Sequence, residues 1–259
     1  MSALATIGRA TRSRVGFPLM LSAASWGVLR VALTPGSWRR TVRYQFVLTM
    51  RQATGGGLAT SLVTACLVGL AMVYESLYWL GVAGQKQLAG TLLVTVLLRE
   101  LTPLLVGVIL LGRSGMLTIA ELGTMQTGGE ARAMLAQGID PFLLLVLPRT
   151  LAFAVSSFTL GILFGFSALV FGFVASNAIS TQQDNLWSFL NRVLSAMSAR
   201  DDLLVPAKLL VIGFLVGLSC CLTGLTASPD DELADLLPRG FVRGILAILI
   251  SSILLTVAV

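Results

Sequence analysis

The sequence predicts an all-α integral membrane protein with N-terminal interfacial helices, five transmembrane helices and one short helix on the cytoplasmic side. Three observations predict it. Of the 259 residues, 56% are hydrophobic and 12% charged, with a mean hydropathy of +0.89, whereas a soluble domain is about one quarter charged. Five apolar runs each reach the roughly 17 to 25 residues that cross a bilayer. Arginine crowds to one side of them: residues 1–51 hold Arg9, Arg12, Arg14, Arg30, Arg39, Arg40, Arg43 and Arg51 and no acid. That marks a cytoplasmic segment near anionic head groups, and Phe17, Leu19, Met20, Leu21 and Trp26 favour a membrane surface over nucleic acid.

Residues 15–29, VGFPLMLSAASWGVL, have the length of a signal-peptide core, and Ser22-Ala23-Ala24 resembles a cleavage site. Arg30 follows at once and the next stretch, TPGSWRRTVRYQF, is basic. An uncleaved interfacial helix is therefore preferred, with Pro35-Gly36 turning into a second short helix. Span one covers about 55–80, and Tyr74, Tyr78 and Trp79 form an aromatic belt at its far end. Lys86 is the single charge of the loop 81–90. Span two covers 91–111 and span three 143–175, long enough to tilt, kink or protrude. Residues 177–202 are polar with mixed charge. Span four covers 203–225, and Lys208 near its start is expected to snorkel to the interface. The acidic loop SPDDELADLLPRG leads to span five, 241–257.

An N-terminus inside places the C-terminus outside. Inside segments then hold 13 Arg and Lys, adding Arg113, Arg132, Arg149, Arg239 and Arg243 to the first eight; outside loops hold Lys86, Arg192 and Arg200. This is the positive-inside pattern. G-x-x-x-G occurs at Gly161/Gly165, Gly213/Gly217 and Gly240/Gly244, a spacing that serves close helix packing within one chain or a dimer seam.

Histidine is absent, which removes the usual general base and the commonest metal ligand. Cys66, Cys220 and Cys221 lie in apolar runs without C-x-x-C spacing and read as buried free thiols, with no metal site. Arg99 and Glu100 fall about nine or ten residues into span two, near mid-membrane, where an unpaired charge costs roughly 2.5–3.5 kcal/mol. Neighbours on a helix point about 100° apart, so the two do not satisfy each other. Pro103 clashes with the carbonyl of Arg99 and loosens the helix there. These charges read either as an ion pair locking helices together or as a polar point in a substrate cavity or hinge.

Gly112-Arg113-Ser114-Gly115 matches the G-x-S-G of intramembrane serine proteases, but that serine needs a histidine, and a Ser-Lys dyad would have to use Lys86 or Lys208 near the opposite face. The motif is read as a helix exit. Thr127-Gly128-Gly129-Glu130 has capping-box spacing, Ala131, Met134 and Leu135 form a small apolar face, Gly138 supplies a C-cap, and Asp140-Pro141 restarts a helix. A helix of two to three turns between two breaks is too short to stand alone, so it is either a docking peg for a soluble partner or a connector. No G-x-x-x-x-G-K-[ST] occurs, so this chain binds no nucleotide through a P-loop.

Taken together, LLRELTP (97–103), GRSG (112–115), AELGTMQ (120–126), GIDP (138–141) and LPR (147–149) resemble, in order and spacing, the MlaE/YrbE-type permeases, membrane subunits of MCE-associated phospholipid-transport ABC systems. The match covers about residues 90–155. The resemblance implies basic elbow helices over 1–54 and a five-span permease domain over 55–259, with a cytoplasmic coupling segment at about 116–140. It implies a homodimer, two cytoplasmic ABC ATPase subunits that bind the ATP and Mg, a periplasmic MCE-domain protein, membrane phospholipid as partner, and a bacterial inner-membrane location. Arg99, Glu100 and Pro103 would then sit at the substrate cavity. Glu121, Met125, Glu130, Arg132, Met134 and Leu135 would form the ATPase contact, and Gly161, Gly165, Gly213 and Gly217 would pack helices. The chain departs from the family at TGGEARAML, where TEQIDAL is usual, and at ELADLLPRGFVRG, where a G-x-x-RATT motif is usual. A transport subunit is the expected function; a G-x-S-G protease and a structural membrane protein without transport are the alternatives.

Overall fold

The computed structural model describes residues 3–34, 39–84, 89–179, 185–228 and 231–257. Every regular element among them is helical. The helices are α1 (Ala3–Ala32), α2 (Arg40–Val82), α3 (Gly90–Thr127), α4 (Glu130–Ala136), α5 (Leu147–Ile179), α6 (Leu186–Ser195), α7 (Ala199–Leu225) and α8 (Leu233–Val257). Five of them, α2, α3, α5, α7 and α8, are long and apolar enough to cross a membrane, as the apolar runs predict. α4 and α6 lie at opposite ends of this bundle and name its two ends below.

Three boundaries differ from expectation. The second short N-terminal helix is not separate: α2 runs unbroken from Arg40 through residue 55 to Val82. The Pro35-Gly36 turn lies outside the described residues. Gly112–Gly115 is not a helix exit, because α3 continues to Thr127 through a π-helical segment, Leu111–Gly115. The helix absorbs its two glycines by widening the ladder for one turn rather than breaking. The polar stretch after α5 also contains α6, which buries Phe189 and Val193 against the bundle and leaves Trp187 outside.

The core is built by α2 lying along α5, α5 along α7, and α3 and α8 against α7. Small residues set these distances. A Cβ on Gly69 would run into the backbone of Ala168, and one on Gly172 into Val73, so α2 and α5 meet almost backbone to backbone. Gly213 and Gly217 face Phe153, Ser157 and Thr150 of α5, Gly161 faces Leu209, Gly165 faces Leu98, and Gly240 and Gly244 face Ile119 and Leu111. The G-x-x-x-G spacings therefore pack this chain against itself. One apolar cluster, including Leu97, Leu110, Phe153, Phe164 and Ile212, fills the bundle. A second, with Val28, Leu122, Leu147, Leu218 and Cys221, fastens α1 at the α4 end. The outward side of α8, from Val242 through Leu246 and Ile250 to Ile253, Leu254 and Val257, is exposed and apolar.

Candidate functional site

The first site grows out of a proline. Pro103 has no N–H to give the Arg99 carbonyl, and α3 is π-helical over Leu93–Leu101, with the Thr102 N–H and hydroxyl both turned back five residues to Leu97. The Arg99 carbonyl therefore has no N–H four residues on to accept from. Lys208 of α7 donates to it at 3.2 Å. The same ammonium donates to both Glu100 carboxylate oxygens at 2.9 Å and to the Thr256 hydroxyl of α8 at 2.6 Å. A lysine has three protons, and here three groups on two helices receive them.

Lys208 is 0% exposed. The expectation that it snorkels to the interface is therefore wrong: Glu100, itself part-buried, holds the ammonium inside, where Coulomb attraction and hydrogen bonds to three groups offset its lost hydration. Thr256 Oγ also lies 3.1 Å from Glu100 Oε1 and 2.8 Å from the Ser252 carbonyl. Arg99 and Glu100 meet only at 3.7 Å, too far for a hydrogen bond, and each turns to another helix. Arg99 Nη1 lies 3.6 Å from Asp201 Oδ1 at the start of α7. Its side chain is 27% exposed and that of Glu100 33%. Asp201 is the third residue of α7 and Thr256 the penultimate residue of α8. The cluster thus lies toward the α6 end of the bundle. Asp201 has a second use, accepting from the Ser198 N–H at 3.1 Å to cap α7.

At the α4 end, the predicted contact residues separate into two sets. Glu121 turns inward: its Oε2 lies 3.1 Å from Arg149 Nη2 on α5, with Glu121 40% exposed and Arg149 11%. Met125 and Met134 pack on the second apolar cluster. Glu130, Arg132 and Leu135 face outward, Leu135 at 61% exposure. The expected capping box is absent, since Thr127 donates to the Gly123 carbonyl of its own helix and Gly129, at φ 79°, leads into α4. Only glycine adopts that angle freely, so Gly128-Gly129 makes a tight turn in place of a side-chain cap. The other end of α4 follows expectation: Gly138 at φ 76° closes a Schellman motif, with its N–H on Leu135 and the Ile139 N–H on Met134. Asp140 then accepts from the Phe142 N–H at 2.9 Å.

Residues 46–258 match the family described as Permease MlaE. The chain belongs to the MlaE permease family. It is 30% identical over 203 residues to a probable ABC transporter permease protein of Synechocystis, covering 77% of this chain and 75% of that one. Over 126 residues it is 31% identical to protein TRIGALACTOSYLDIACYLGLYCEROL 1, chloroplastic, of Arabidopsis thaliana, covering 48% of this chain and 34% of that one. A probable ABC transporter permease protein of Pyropia yezoensis is 25% identical over 175 residues. This MlaE permease is accordingly a transporter permease subunit and a multi-pass membrane protein, not an enzyme.

The geometry argues separately against the serine-protease alternative. Ser114 is buried in the π segment at the α4 end, whereas Lys208 is committed to Glu100 at the other; Lys86 lies outside the described residues. Sequence reasoning missed Lys208, Thr256, Asp201 and Arg149. For Lys208 the signal was present: one lysine and one glutamate, each in an apolar span, are each other's natural partners.

Proposed function

We propose that this permease moves phospholipids or chemically related hydrophobic molecules as a homodimer, powered by two separate ATPase subunits at the α4 end and joined by an MCE-domain protein at the α6 end. In this reading the α4 end is cytoplasmic, the α6 end periplasmic and the membrane the bacterial inner membrane, consistent with the arginine-rich N-terminus. The observation that carries the lipid reading is the pairing of two surfaces at the α6 end. The partly exposed Arg99 and Glu100 adjoin Thr256 of α8, whose outward side offers Ile253, Leu254 and Val257. A charge pair beside a continuous apolar face suits a molecule with a polar head and acyl chains. The Arabidopsis relative carries the name of a galactosylated diacylglycerol, a molecule of that shape. Leu135, exposed on a short helix that cannot stand alone, suits insertion into a groove of a soluble partner.

The test is reconstitution of the complex in proteoliposomes, with mass spectrometry of co-purified lipid and subunits. Glu100→Gln keeps one oxygen that can accept from Lys208 but loses the second acceptor and the charge. Lipid transfer is expected to fall at least tenfold with assembly intact. Assembly lost in Glu100→Gln would make the pair structural. Leu135→Glu should abolish ATPase recovery, and unchanged recovery would remove the docking role from α4.

A further inference from the structure

The segment leading to α4 is held differently on its two sides. Two π segments, Leu111–Gly115 and Phe142–Val146, bracket residues 116–141, and π turns inside helices are frequent at functional sites. Within the bracket, the end of α3 presents Ile119, Leu122 and Gly123 to α7 and α8. These contacts are apolar and close: Leu122 fills the place a Cβ would need at Gly224, Ile119 that at Gly240, and Leu236 that at Gly123. One turn around the same helix, Ser114, Thr118 and Glu121 face Thr49, Gln52 and Ala53 of α2 and Arg149 and Phe153 of α5 across a cavity of about 10 Å³. Thr118 spends its hydroxyl proton on the Ser114 carbonyl of its own helix, at 2.9 Å. Arg149 Nη1 is buried with no protein acceptor. Among the described residues, the ion pair that crosses this seam is Glu121–Arg149.

We propose that Glu121 and Arg149 are a positioning pair: their ion pair hands movement of the bracketed segment 116–141 on to α5, and so links ATP hydrolysis to lipid movement. The inference rests on the transporter reading above. Apolar interdigitation on the α7 and α8 side moves those helix ends with the segment, because packed cores do not slide continuously. The α2 and α5 side is polar around a small cavity, so beside the chain continuity at Phe142 and the shared apolar cluster the charge pair is the directed link from the end of α3 to α5. Glu121 is then an inward-facing link rather than part of the surface offered to an ATPase.

The experiment compares the unsubstituted complex with Glu121→Gln, Arg149→Gln and the double exchange Glu121→Arg/Arg149→Glu, each reconstituted with its ATPase in vesicles of phosphatidylethanolamine and phosphatidylglycerol. The readout is lipid transferred per ATP hydrolysed, with ATPase recovery and the thermal midpoint measured in parallel. Each single substitution is expected to lower the ratio about tenfold while ATPase recovery is kept, and the double exchange to restore it to within about threefold. If Arg149→Gln is recovered poorly, Glu121→Gln, altered at the more exposed partner, carries the comparison. Single variants that transfer lipid at the unsubstituted ratio overturn the proposal, as does a double exchange no better than the singles. An unsubstituted chain that recruits no ATPase overturns the transporter reading, and this inference with it.

Discussion

The two ends of the bundle both place an arginine and a glutamate from family motifs in apolar surroundings, and they treat them in opposite ways. At the α6 end, Lys208 gathers Glu100, Thr256 and the Arg99 carbonyl with four contacts between 2.6 and 3.2 Å, joining α3, α7 and α8. At the α4 end a single 3.1 Å contact joins Glu121 to Arg149, with no third group among the described residues gathered around it as Lys208 gathers Glu100, Thr256 and the Arg99 carbonyl. The difference lies in connectivity. A charge with every proton placed stiffens the helices around it, and a charge with one link can release them. The closed cluster lies where Pro103 denies a backbone carbonyl its usual N–H, so a local defect in one helix becomes a joint between three.

The largest effect should come from breaking the closed end. Lys208→Met keeps the length of the side chain and removes the ammonium, leaving Glu100 without its main partner. Glu100 keeps 33% of its side chain exposed, so the loss should fall short of the cost of a fully buried pair, at about 1–3 kcal/mol, read in a thermal or denaturant scan in detergent. A loss below about 1 kcal/mol would mean that Glu100 reaches water on its own, and that the α6 end is no stiffer than the α4 end.

How much of this contrast was legible in the sequence depends on the kind of interaction. The five spans were legible because length and apolarity act locally, and Gly138 and Asp140-Pro141 because caps are written within a few residues. Pro103 was legible as a loosened point above Arg99 for the same reason. Lys208 was misjudged because the rule applied to it concerns one helix and one interface, while its actual partners stand 108 and 48 residues away in the chain. Thr256 carries no signal alone, since a threonine at the end of an apolar helix is ordinary until a lysine points at it. The Thr127 capping box failed at Gly128-Gly129, where a left-handed glycine offers the chain another route into α4. Gly112–Gly115 was read as an exit because glycines usually end helices, whereas packing of Gly115 against Cys220 carries the helix through.

A smaller change sharpens the comparison within the α6 end itself. Thr256→Val keeps shape and removes one acceptor from Lys208, while Glu100 and the Arg99 carbonyl remain. One hydrogen bond in such a cluster contributes about 1 kcal/mol net, and the same unfolding scan reads it. If Thr256→Val costs as much as Lys208→Met, the members act as one unit. If it costs nothing, α8 is not held by the cluster, and the joint reduces to α3 and α7.

The smallest effect belongs to the α4 end and depends on pH. Ahead of α8, Asp231 accepts from the Ser228 N–H at 2.9 Å and pairs with both terminal nitrogens of Arg239, at 3.3 and 3.4 Å. The Ser228 amide first, and the arginine after it, hold its carboxyl below the ordinary aspartate value. A depressed carboxylate contributes stability that is present in full above its unfolded-state pKa, about 3.9, and is lost as pH falls through the lower folded value. Hydrogen exchange around Leu233–Arg239 should therefore be unchanged from pH 7 to about 5 and quicken in acid beyond the intrinsic rate change. In Asp231→Asn, whose amide oxygen can still accept from Ser228, that acid-dependent excess should vanish. The variant should leave the Lys208 cluster unaffected at every pH, because the two lie at opposite ends of α8. An acid response that spreads to the α6 end would show that the two ends are mechanically coupled through α8 rather than held independently.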